Sequence, residues 1–135
     1  MVQPATMTTI VADGTGGPEV LRPAVVPLPS PRPDEVLIRV LAAGVNRPDV
    51  MQRQGLYPPP RGASPILGLE VAGEVVAAGV AASELAPGAR VAALVNGGGY
   101  AEYCVAPAAQ CLPCSPPTLA TASSTASIWC RISKP

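Results

Sequence analysis

Short apolar runs separated by prolines and glycines make up most of this chain. The longest run, residues 66–79, is interrupted only by glycines and by Glu70 and Glu74. Its valines favour a strand, because β-branched side chains pack well on a pleated surface. Its glycines argue against a helix, in which each costs roughly 1 kcal/mol relative to alanine. This run therefore predicts a bent and largely buried strand.

Alternation of side chains marks a second strand at residues 34–43, where Val36, Ile38 and Val40 fall on one face. Four more apolar runs with turn residues between them predict further strands at residues 7–11, 19–26, 89–95 and 100–106. This pattern predicts a mainly β domain.

One short helix is predicted between the second strand and the long apolar run. Asp49 is a good N-cap, and Gln52 three residues later completes a pair that resembles a capping box. Gly55 supplies a C-terminal stop.

Composition narrows the classes of function. The 135 residues include 18 prolines, 13 glycines and no histidine, and the formal net charge is zero. This length predicts one domain, and the lack of a basic run argues against a nucleic-acid surface. No apolar run approaches the roughly 20 residues that a membrane helix needs. Because the N-terminus has no secretory pattern, we expect a cytoplasmic location.

Four cysteines leave a second chemistry open. Cys111 and Cys114 form a C-x-x-C motif, which is either redox-active, half of a zinc site with Cys104 and Cys130, or a coincidence. A thioredoxin-like motif would open a helix in a βαβ unit, which the pattern does not predict. Coincidence is the favoured interpretation.

Several motifs in order resemble one known family. They lie at residues 34–40, 44–49, 52–57, 66–73, 87–91 and 97–103. Together they are similar to the N-terminal, GroES-like catalytic domain of the zinc-independent quinone oxidoreductases in the medium-chain dehydrogenase/reductase superfamily. The resemblance is strongest to the p53-inducible quinone oxidoreductase-like subgroup. It implies a partly open β-barrel with one or two short helices over residues 1–113.

The same resemblance implies the residues of a site. Zinc-dependent relatives have a cysteine at the place of Asn46 and a histidine at the place of Leu69, so no metal site is expected here. Asn46 and Asp49 would line the cleft for NADPH, with the Asn46 amide bonding its ribose or carboxamide. Tyr57 would stack on a quinone and donate its O–H to the developing phenolate, so Tyr57 and Asn46 are the expected catalytic residues.

Each of these residues also has a purely structural interpretation. Asp49 caps a helix, Asn46 is a turn residue and Tyr57 packs in a proline-rich loop. Glu70 in an apolar strand needs a partner if it is buried, and Arg53 or Arg90 could supply one.

The family's second half is a Rossmann domain, whose Gly-rich turn holds the cofactor pyrophosphate. Residues 1–135 contain no such turn, and residues 114–135 form a low-complexity tail that we expect to be poorly ordered. We therefore expect a truncated catalytic half that is inactive alone and binds NADPH weakly. The alternatives are a non-catalytic GroES-like module that binds a small molecule or a partner, and a cysteine-based redox or metal module. A homodimer is expected only of a full-length family member.

Overall fold

The computed structural model describes residues 2–114, within which there are seven strands, one α-helix and two 3-10 turns. The strands are β1 (Thr6–Ala12), β2 (Leu21–Pro27), β3 (Glu35–Ala43), β4 (Glu70–Ala78), β5 (Arg90–Leu94), β6 (Tyr103–Pro107) and β7 (Cys111–Pro113). The helix α1 is Arg47–Arg53, and the 3-10 turns are Pro18–Val20 and Ala108–Gln110. No helix in this part of the chain is long and apolar enough to cross a membrane.

Two antiparallel sheets form the fold. Five strands pair in the order β6-β3-β4-β5-β7, and β1 and β2 form a separate hairpin. Backbone hydrogen bonds attach β1 to the segment before β6, from Ile10 N–H to the Tyr100 oxygen at 2.8 Å and from Glu102 N–H to the Thr8 oxygen at 3.0 Å. The hairpin thereby closes part of the open side of a curled sheet. This confirms the predicted mainly β, partly open barrel with few short helical segments.

The curl has identifiable causes in β3 and β4. Their register shifts twice, between Leu37 and Ile38 and between Val40 and Ala42. Gly73 of β4 lies so close to β3 that a Cβ atom there would overlap the Arg39 carbonyl oxygen. The bulges bend the pair, and the glycine lets the two backbones approach.

A single apolar cluster fills the inside of the curled sheet. Its fully buried members come from alternate positions of the central strands, as a half-buried antiparallel sheet requires. The cluster consists of Val36, Ile38, Val71, Val75, Ala82, Leu85, Val91, Ala93, Val95, Cys104, Ala106 and Cys111.

The predicted long strand at residues 66–79 is wrong in its first four residues. The ladder begins at Glu70, because Gly68 has a φ of +101° and leaves extended geometry. The backbone before it instead holds a loop, with Gly98 N–H donating to the Ile66 oxygen at 2.7 Å and Tyr100 N–H to the Leu67 oxygen at 2.9 Å.

Two other strand starts differ from the predictions, and one short strand is additional. The second strand starts at Leu21 rather than Glu19, because Pro18 opens a 3-10 turn first. The last predicted strand starts at Tyr103, since the backbone at residues 100–102 bonds β1 instead. The short strand β7 has no alternation and was not predicted.

The predicted tail lies outside the described residues, except for Cys114. Cys130 lies outside them too, so the alternative of a zinc site that combines Cys111 and Cys114 with Cys104 and Cys130 stays untested.

Candidate functional site

Asn46 and Glu70 meet where the helix joins the sheet. Asn46 Nδ2 donates to Glu70 Oε2 at 3.0 Å, and the backbone N–H of Gly44 donates to the Glu70 carbonyl oxygen at 2.9 Å. Gly44 has no side chain in the way; a Cβ atom there would stand 2.5 Å from Glu70 Oε2. The segment before α1 thus lies against the first residue of β4.

Asp49 fixes the start of α1, but as its third residue rather than as its N-cap. Asn46 is the N-cap, and its backbone N–H donates to Asp49 Oδ2 at 2.8 Å. The Asn46 side chain turns toward the Asp49 backbone N–H in return, which completes a capping box. That N–H makes its aligned hydrogen bond, at 3.1 Å, to the Asn46 carbonyl oxygen. The predicted pair of Asp49 and Gln52 is therefore wrong.

Asp49 is a buried carboxylate with one unsatisfied oxygen. The residue is only 2% exposed, and Oδ1 has no hydrogen-bond partner among the described residues. Leaving a buried acceptor unpaired costs about 1–3 kcal/mol. Such an atom calls for a donor that a ligand or a water molecule could provide.

Tyr100 is the neighbour of Asp49 that sequence reasoning missed, since it was assigned only to the barrel. The pKa of Tyr100 is raised to about 12, first by burial, then by the charge of Asp49 and a hydrogen-bonding contact with it. That contact does not satisfy Oδ1 of Asp49. The phenol therefore keeps its proton and faces the carboxylate that holds Asn46.

Tyr57 stands apart from this group. It lies in the loop after α1, its side chain is 46% exposed, and it makes no side-chain hydrogen bond within the described residues. No hydrogen bond joins its side chain to Asn46 or Asp49 within residues 2–114. An exposed phenol is free to stack on a ligand, but the domain alone does not position it.

A shallow depression opens beside the Asn46–Glu70 pair. Small side chains line most of it: Ala42, Gly44, Glu70, Val71, Ala72 and Ala92. These small residues leave the Glu70 carboxylate accessible on its rim.

Potential metal ligands are scattered over residues 2–114. Within residues 2–114, no three side chains of His, Cys, Asp or Glu converge on one point. Asn46 uses its amide on Glu70, where a zinc site would need a thiolate. Cys111 begins the short strand β7 and Cys114 directly follows it, so the two cysteines do not open a helix and lack the setting of a thioredoxin-like motif.

Comparison with known families decides where the fold belongs. Residues 32–116 match the alcohol dehydrogenase GroES-like domain. The chain belongs to this family. The GroES-like match includes β3, β4 and β5, which line the depression, as well as α1 and β7.

Individual relatives of this GroES-like domain are longer proteins. It is 42% identical over 107 residues to the rat synaptic vesicle membrane protein VAT-1 homolog, covering 75% of this chain and 26% of that protein. It is 40% identical over 96 residues to a chloroplastic quinone-oxidoreductase homolog from spinach, covering 67% of this chain and 29% of the relative. The chain thus spans between a quarter and a third of either protein.

Solved structures agree with the fold. A mycobacterial protein in complex with NADPH superposes with a TM-score of 0.72 at 39% identity, covering 85% of this chain and 34% of the other. A quinone oxidoreductase from Pseudomonas syringae gives a TM-score of 0.69 at 34% identity, with 81% and 34% covered. These are the proteins to which this GroES-like domain is similar.

Proposed function

We propose that this GroES-like domain forms the substrate wall of an NADPH-dependent quinone oxidoreductase that works without zinc. The observation that carries the proposal is the Asn46–Glu70 hydrogen bond of 3.0 Å. Asn46 stands where a zinc-dependent relative would have a zinc ligand, and here its side chain binds a carboxylate instead. Relatives named as quinone oxidoreductases, and a structural neighbour solved with NADPH, support the same reaction.

Asn46, Asp49 and Tyr57 have distinct roles in this proposal. Asn46 presents an amide to the reacting groups, and Asp49 contributes Oδ1, which has no hydrogen-bond partner among residues 2–114, toward a cofactor hydroxyl. Tyr57, exposed on the loop after α1, stacks on the quinone ring and donates to its oxygen. NADPH, when bound, supplies the hydride. The quinone gains that hydride and one proton from solvent, and leaves as the hydroquinone.

A chimaera tests this function. Residues 1–113 replace the equivalent domain of the spinach quinone-oxidoreductase homolog, and NADPH oxidation is followed with duroquinone as acceptor. We expect quinone-dependent oxidation that falls about tenfold or more in kcat/KM in Asn46→Ala and Tyr57→Phe, as loss of one transition-state donor does. Tyr103→Phe removes a phenol from β6 and serves as the control.

A chimaera that folds, by circular dichroism, but oxidises NADPH no faster with duroquinone than without it would contradict the proposal. Equal losses in Tyr57→Phe and Tyr103→Phe would remove the assigned role of Tyr57. The full 1–135 chain should show little NADPH binding and no turnover, because a GroES-like wall holds only one side of the cofactor.

The second candidate is a module that binds a small molecule or a partner without catalysis. The exposed position of Tyr57, without a hydrogen-bonded neighbour among the described residues, favours it. Binding of duroquinone to the full chain together with an inactive chimaera would support this candidate.

Membership of the p53-inducible quinone oxidoreductase-like subgroup, a cytoplasmic location and a homodimer of a longer protein remain predictions. The order of the motifs supports membership of the subgroup. A chloroplastic relative leaves the location open.

A further inference from the structure

We propose that Glu70 is a positioning residue that makes Asn46 a hydrogen-bond donor toward the carbonyl oxygen of the quinone. This inference rests on the proposed function and names the group that organises its site. Glu70 acts through Asn46, so its effect is on the direction of the amide rather than on the ligand itself.

The contact between the two side chains admits only one orientation of the amide. A carboxylate is an acceptor and offers no hydrogen. With 3.0 Å between Nδ2 and Oε2, the reverse orientation would set the Asn46 oxygen against a carboxylate oxygen. Glu70 therefore selects the amide nitrogen.

The start of α1 requires the same orientation of the Asn46 amide. In the capping box, the Asn46 side chain turns toward the backbone N–H of Asp49. An amide oxygen can accept a hydrogen bond from that N–H, whereas an amide nitrogen cannot. The oxygen is thus directed at the helix and one Nδ2 hydrogen at Glu70. The group that remains for a ligand is the second hydrogen on Nδ2, a donor.

Both ends of this contact are anchored in the backbone. Asn46 N–H donates to Asp49 Oδ2 at 2.8 Å, and Glu70 lies in the ladder of β4 opposite Leu94 of β5. Gly44 leaves room for the pair and bonds the Glu70 carbonyl. An amide held on both sides is preorganised, which is what a donor to a developing oxyanion needs.

Space for the acceptor lies next to the pair. The depression that includes Glu70 and Gly44 is walled by Ala42, Ala72 and Ala92, whose methyl groups offer no competing hydrogen bond. The depression has a volume of only about 10 Å³, so it admits a group the size of one water molecule, such as a carbonyl oxygen. The quinone ring would lie outside it, over the methyl groups of the alanines, with the Asn46 donor beside the Glu70 edge.

Side-chain amide NMR of the full 1–135 chain tests the orientation without any ligand. The sequence has two asparagines, Asn46 and Asn96, and Asn96 is exposed, so it is an internal reference for a solvated amide. We expect the Asn46 Nδ2 protons to be displaced from the Asn96 values in wild type. In Glu70→Leu they should move to those values. Glu74→Leu, a change on the same strand, should leave them in place.

The polarity of the site is tested with two probes of one shape. Duroquinone has two carbonyl oxygens, and durene has the same ring and methyl groups without them. We expect a preference for duroquinone of about threefold to tenfold, the size of one hydrogen bond. It should vanish in Glu70→Leu, persist in Glu74→Leu and be largely rescued in Glu70→Gln, whose amide oxygen still accepts from Asn46.

Two results would overturn the proposal: Asn46 amide protons that do not respond to Glu70→Leu, or a preference for duroquinone that is absent in wild type or unchanged by Glu70→Leu. The proposed function is judged separately, by NADPH oxidation in the chimaera. A failure of one can therefore be told from a failure of the other.

Discussion

Gly68 and Gly99 lie backbone against backbone. Gly99 N–H donates to the Gly68 oxygen at 3.0 Å, and a Cβ atom on Gly68 would stand 2.7 Å from Gly99 Cα. Gly68 also has a φ of +101°, which side chains of L-residues rarely adopt. This contact locks the loop before β4 onto the turn before β6 and so sets where the candidate site begins.

Replacing Gly68 by alanine should therefore destabilise the fold severely. The positive φ costs about 1–3 kcal/mol, and the overlap with rigid backbone adds a similar amount. We expect a loss of more than about 3 kcal/mol in the free energy of unfolding, measured by urea denaturation.

Gly88→Ala is the matched control. Gly88 has a φ of +92°, close to that of Gly68, but a Cβ atom there would meet nothing within 4 Å. Gly88→Ala should lower the free energy of unfolding only by the cost of the positive φ, about 1 kcal/mol. Equal losses in the two variants would show that the close approach of Gly68 and Gly99 contributes nothing.

Gly44→Ala should have the opposite effect: a small loss of stability and a large disturbance of the Asn46 amide. The atom that a new methyl group would meet is Oε2 of Glu70, at the end of a flexible side chain, which can move away. We expect less than about 1 kcal/mol of destabilisation. The Asn46 amide protons, however, should shift toward those of Asn96. A shift no larger than that in Gly88→Ala would contradict this prediction.

Much of the fold could be predicted from the local pattern of apolar residues. The alternation at residues 34–43 and the valines of β4 determine which face of each strand is buried. The places that failed depended on distant partners. The β4 ladder starts only after Gly68, because Gly68 packs against the backbone of Gly99. Asn46 rather than Asp49 caps α1, because the Asp49 carboxylate accepts from the Asn46 backbone N–H.

The candidate site was predicted in part for the same reason. Asn46 and Asp49 came from motifs along the chain, whereas their neighbours Glu70 and Tyr100 became visible only when strands brought them close. A glutamate inside an apolar strand was the one signal in the sequence, and it pointed to a partner without naming it.

Asp49→Asn should lower the pKa of Tyr100. Burial is the largest cause of the raised value of about 12, and the charge of Asp49 is the next. Removing the charge should leave a pKa below about 12 but above the ordinary 10.0, because burial remains. The tyrosine ring carbons report this titration by NMR, with Tyr103 as reference. An unchanged pKa would show that the carboxylate does not act on the phenol.

Stability should fall as the pH rises above 9, and Cys104 should account for much of the fall. Burial, and then the charge of Cys111, raises the pKa of Cys104 from 9.0 to about 12. The unfolded chain therefore releases this proton first, so stability is full below pH 9 and is lost toward pH 12, by roughly 1 kcal/mol per pH unit. Urea unfolding at pH 8, 9.5 and 10.5 should give a shallower slope for Cys104→Ala than for wild type, although the variant starts less stable. Parallel slopes would contradict the assignment to Cys104 and leave Tyr100 and Cys111, whose pKa values burial raises in the same direction, as the groups responsible.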